Sequence, residues 1–129
     1  MAPSTIQFIA AVSFLLVGLS HLLRPREWAS LFIRLRALEE PGVFLIVLMT
    51  FPIVSLIIGF HNVWSGLPTV LTIVGWIMCL KCAIYSVFPG IGLRALQKIT
   101  TENVMKLRVV GVALIALSGL CWVMWADSH

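Results

Sequence analysis

Four runs of apolar residues, roughly Ile6–Leu23, Val43–Phe60, Pro68–Phe88 and Val109–Trp125, fill more than half of this chain and are interrupted by a single charge, Lys81. At 1.5 Å of rise per residue each run makes a helix close to ~30 Å long, the thickness of a bilayer's hydrocarbon core. Hydrophobic residues are 60% of the chain and charged ones 11%, whereas soluble domains carry about a quarter. A domain of 129 residues could not cover that much apolar surface in water. The expected fold is an all-α integral membrane four-helix bundle, one domain over residues 1–129, with no room for a second.

The charges set the expected topology. Eight of the nine Lys and Arg residues sit in two connections, between spans one and two and between spans three and four. The middle connection, His61–Leu67, has none. Positive charge collects on the cytosolic side, which predicts the inner (cytoplasmic) membrane with both termini and the His61–Leu67 turn outside. Trp64, Trp122 and Trp125 then fall at the outer edge, and Trp28, Tyr85 and Phe88 near the inner one. The net charge of +4 reads as contact with anionic headgroups and not as a nucleic-acid surface, because its carriers flank the spans. Ser4-x-x-Gln7 has the spacing of a capping box for span one. Arg24 and Arg26 follow the first apolar run, whereas a cleaved signal peptide has its charge before it, so a retained span is expected.

The basic connections have their own pattern. Trp28, Leu31, Phe32, Leu35 and Leu38 recur at helical spacing, so residues 26–40 should form an amphipathic helix lying in the interface. A second such segment is expected at 91–102. Pro52 should kink span two, with Thr50 or a neighbouring helix satisfying the freed carbonyl. The order span, proline, amphipathic segment, span occurs twice, consistent with a parallel tandem repeat about an axis along the membrane normal.

Span three carries the most information. Thr72, Gly75, Cys79, Cys82 and Ser86 are spaced three, four, three and four apart, a helix-packing seam where another backbone could approach closely. Lys81 lies on the other side among bulky residues, including Tyr85. A charge inside a span is costly and marks a candidate functional residue. No span contains an acidic partner for it, so Lys81 either snorkels to lipid phosphates or meets an anionic ligand. Cys79-Leu80-Lys81-Cys82 is a C-x-x-C whose lysine would favour thiolate, although both cysteines also fit the seam.

Gly18-x-x-His21-x-x-x-Pro25-x-x-Trp28, together with Pro89 and Leu107-Arg108-x-x-Gly111, resembles small four-span bacterial membrane proteins of the DoxX-like kind. The resemblance implies a bacterial inner-membrane bundle and carries over no catalytic or binding residue.

Among the remaining polar groups, His21 and Arg24 at the inner end of span one are candidate lipid contacts. His61, Asn62 and Trp64 are outer-face candidates, with Asn62 and a protonated His61 suited to the negative end of the second helix. His21 and His61 fall on opposite faces and cannot share a metal ion. No metal site or cofactor is required by the sequence, lipid is the expected associate, and the partner is a second copy or a membrane complex. The expected function is that of a structural or accessory membrane subunit. The alternatives are an anion- or lipid-handling channel or carrier using Lys81, and a thiol–quinone oxidoreductase using Cys79 and Cys82.

Overall fold

A computed structural model describes all 129 residues. Six helices run in order: α1 Pro3–Leu23, α2 Pro25–Ala37, α3 Glu40–Phe60, α4 Thr69–Val87, α5 Pro89–Gln97 and α6 Met105–Asp127. There are no strands, and α1, α3, α4 and α6 are long and apolar enough to cross a membrane.

Proline writes several of the boundaries. Pro3, Pro25, Pro41 and Pro89 each stand in the first two positions of a helix, where a missing N–H leaves nothing unpaired. A residue preceding proline is pushed out of the α region. Arg24 (φ −129°, ψ 52°) and Phe88 (φ −124°, ψ 70°) therefore form one-residue hinges of nearly the same shape, turning α1 into α2 and α4 into α5. The capping box does not form. The helix already starts at Pro3 with Ala2 as its cap and no capping side chain, which leaves Gln7 a full turn inside it.

Two further expectations are corrected. Thr50 bonds the Ile46 carbonyl at 2.9 Å, not the Leu48 carbonyl that Pro52 leaves free, because a threonine hydroxyl reaches back four residues along its own helix. The second amphipathic segment ends at Gln97, and Lys106 and Arg108 belong to the first turn of α6, which begins four residues before Val109.

The long helices associate as two antiparallel pairs. Along α1 and α6 the backbones nearly touch. A Cβ added at Gly18 would stand 2.9 Å from the Gly111 carbonyl, and one at Gly111 2.7 Å from the Gly18 carbonyl. Ser118 donates to the Ala11 carbonyl at 2.6 Å in the same interface. In lipid there is little hydrophobic drive between helices, so close backbone approach and interhelical hydrogen bonds decide which faces meet. The second pair, α3 and α4, closes where Gly75 admits the Ile57 side chain.

The pairs meet chiefly through α1 and α3. Their shared core, near the end holding the termini, contains Ile6, Ala10, Ala11, Phe14, Ile57, Leu71, Cys121 and Met124. The short helices α2 and α5 lie together at the opposite end, against α3 and each other. Only 26 of 129 residues are buried, so most of the long helices' apolar surface faces outward.

The glycine contacts make a direct test. Gly111→Leu should lower the thermal midpoint in detergent, costing at least the ~1–3 kcal/mol of an overpacked core. Gly119→Ala, where the added Cβ meets nothing within 4 Å, should leave the midpoint unchanged or raise it slightly.

Candidate functional site

The apolar bundle encloses one polar cluster. His61 follows the last residue of α3, where its backbone N–H donates to the Ile57 carbonyl at 2.8 Å. Its side chain is fully buried, as is that of Thr72 one turn into α4, and Gln7 of α1 is 4% exposed. The Gln7 amide Nε2 donates to His61 Nε2 at 3.2 Å. That leaves the imidazole proton on Nδ1, which donates to Thr72 Oγ1 at 3.1 Å. The Thr72 oxygen also accepts from the Val63 N–H at 3.2 Å, and its own proton is shared between the carbonyls of His61 and Val63, both at 2.9 Å. The Oε1 of Gln7 is buried without a partner. Turning the amide over exchanges which of its atoms faces His61, so either orientation leaves one atom unpaired.

The His61 side chain therefore turns inward to Gln7 and Thr72 and bonds no α3 carbonyl, so it does not cap the helix as its position suggests. Burial pulls its pKa below the ordinary 6.5, and a neutral ring satisfies the geometry. Asn62 does serve the helix end, donating to the Ile58 carbonyl at 2.6 Å, and Trp76 donates to Asn62 Oδ1 at 3.0 Å. Trp64 is exposed and stands apart from the cluster.

The small-residue seam of α4 divides. Thr72, Gly75 and Cys82 are buried, Cys79 is half-buried and Ser86 is exposed. The backbone neighbour at Gly75 is the chain's own α3, because the short His61–Pro68 connection folds α4 back along it. All three cysteines are free thiols, and Cys121 lies in the core far along the chain from the C-x-x-C. Lys81 is exposed on the outward face of α4, its Nζ 5.5 Å from the centre of the Tyr85 ring.

The opposite end is built around α2 and α5. His21 is buried, donates from Nδ1 to the Val17 carbonyl at 2.9 Å, and stacks on Trp28 with ring centres 4.1 Å apart. Trp28 donates to Ser20 Oγ at 2.6 Å, fixing the hinge at Arg24, whose guanidinium meets Glu27 at 3.0 Å. Arg36 reaches from α2 to the C-terminal end of α5, bonding the carbonyls of Leu96 and Gln97 in its last turn and of Ile99 just beyond it at 3.1–3.4 Å. A cation there complements the negative end of the helix dipole. Sequence reasoning missed both the Arg36 clasp and the inward turn of Gln7. The available signal for Gln7 was an amide inside an apolar run; Arg36 had none, since its partner is a backbone.

Comparison with protein families, with curated proteins and with solved structures gives no match in any of the three. Gly18 and Gly111 face each other across α1 and α6, Pro25 starts α2, and His21 stacks on Trp28 across the hinge.

Thr72→Val should destabilise the fold by ~1–3 kcal/mol, because it strips partners from the buried His61 ring and Val63 N–H. The pH dependence follows from the depressed pKa. The stability that a neutral His61 contributes is complete above about pH 6.5 and is lost as the pH falls below it, since the unfolded state binds the proton first. Thermal melts should show that decline, and His61→Gln, less stable at every pH, should lack its His61 share.

Proposed function

We propose that this protein is a structural or accessory subunit of a homo-oligomer or larger complex in the cytoplasmic membrane. In this reading α2 and α5 lie as amphipathic helices at the cytosolic headgroups, and both termini are outside. The charge distribution supports the orientation. Arg26, Arg34, Arg94, Lys98, Lys106 and Arg108 at the α2/α5 end are exposed and form no ion pair, as suits a surface held against anionic lipid. The paired hinges at Arg24 and Phe88 support a tandem repeat, α1–α3 followed by α4–α6, whose axis exchanges the α1/α6 and α3/α4 pairs.

One observation carries the subunit reading: α3 and α4 each bury only four residues within the chain. Their outward flank, edged by Cys79 and Ser86, is open to a second transmembrane chain, and small residues allow helices to approach closely in lipid. Extracted gently from its native membrane, the protein should migrate on native gels as a species larger than one chain. Cys79→Trp combined with Ser86→Trp should reduce that species to the monomer without lowering the melting temperature. A wild-type monomer, or a complex indifferent to both tryptophans, would contradict the reading.

A second reading rests on Lys81, a cation on the outward face of a span with no acidic partner. It makes the protein a handler of anions or lipids. Anion flux from liposomes that disappears in Lys81→Met would favour it over the subunit reading.

A further inference from the structure

Two shallow grooves run along the exposed side of α2 and share the residues Glu27 and Leu31. One, of about 320 Å³, is walled by Ser20, Arg24 and Trp28. The other, of about 480 Å³, is walled by Arg26, Ser30 and Arg34. Arg26, Ser30 and Arg34 are successive members of an i, i+4 row, so they line one helix face over about 12 Å. A helical side chain leans toward the N-terminus, which brings Arg34 back over Ser30, and Arg26 lines the same groove one turn earlier.

The charges of this face do not cancel. Glu27 is committed to Arg24 at 3.0 Å, and a backbone hydrogen bond together with that guanidinium holds its carboxyl below the usual carboxylate range. Arg26 and Arg34 form no ion pair, so the row presents two positive groups with a hydroxyl between them. Guanidinium forks match the paired oxygens of a phosphate better than any other side chain. The neighbouring groove is less polar and has a rigid wall, because Trp28 is pinned by Ser20 and stacked on His21. A headgroup and the start of an acyl chain need that combination, whereas a free anion needs only the first groove.

We propose that Arg26, Ser30 and Arg34 on α2 form a binding site for the phosphodiester of an anionic phospholipid, whose glycerol and upper chain lie against Leu31 and Trp28. The site rests on the reading that the α2/α5 end sits at a headgroup layer. It adds that one groove, and not the basic surface at large, selects the lipid. A lipid held there would seat α2, and through the Arg36 clasp α5, at a defined depth.

Native mass spectrometry of the detergent-purified protein, titrated with phosphatidylglycerol, phosphatidylcholine or inorganic phosphate, tests it. Phosphatidylglycerol should bind well ahead of phosphatidylcholine, and inorganic phosphate should not displace it. Arg26→Gln with Arg34→Gln should weaken phosphatidylglycerol about thirtyfold, the loss of two direct charge-assisted contacts with the phosphodiester. Arg94→Gln with Lys98→Gln, equal in charge but on and just beyond α5, should change it by no more than about twofold. Ser30→Asp should abolish selectivity without removing an arginine, which keeps the test usable if the double variant misfolds. Equal losses in the two double variants would sink the site while leaving the headgroup orientation standing. No preference for phosphatidylglycerol in the wild type would sink both. Displacement by inorganic phosphate would make the groove a plain anion site and overturn the lipid assignment.

Discussion

Three hydrogen-bonding side chains from three separate helices meet at His61, and the arrangement of the long helices depends on that meeting. Gln7 comes from α1, Thr72 from α4, and His61 terminates α3, so the cluster joins the α1/α6 pair to the α3/α4 pair. In hydrocarbon, apolar side chains gain little by leaving lipid for one another. A polar group buried between helices strongly prefers a partner, because the alternative is an unpaired group cut off from water. The cluster thus selects one arrangement of pairs among several that would be equally greasy.

The opposite end repeats the solution with backbone in place of side chain. Arg36 bridges α2 to the open carbonyls at the end of α5, so the two short helices act as one plate across the bundle. Between the two ties, contact is made by glycine: Gly18 against Gly111 in one pair, Gly75 against Ile57 in the other. Polar links at both ends and close approach in the middle hold the bundle, while most of its surface remains apolar and outward.

Much of this was readable from residues alone, and the failures have a common physical cause. The number, length and rough limits of the four spans follow from apolar runs and proline, which act locally. The roles of Gln7, His61 and Arg36 depend on what arrives from far along the chain. Gln7 and His61 are 54 residues apart, and Arg36 and Leu96 are 60 apart. Read locally, Gln7 completes a capping box and His61 is a charged helix end; only the antiparallel return of α3 beside α1 buries both. The α4 seam shows the same limit. Its spacing marks a packing face, but nothing in it says that Gly75 meets the chain's own α3 while Ser86 stays exposed.

The protonation state of His61 in the membrane-embedded protein tests this most directly. Nitrogen chemical shifts of its ring, followed across pH in lipid bilayers, should show an imidazole that takes up its proton below the ordinary pH ~6.5, with its N–H protected from exchange. A ring that titrates at its ordinary value and exchanges freely with water would mean that Gln7, His61 and Thr72 do not meet, and the proposed linkage between the helix pairs would be wrong.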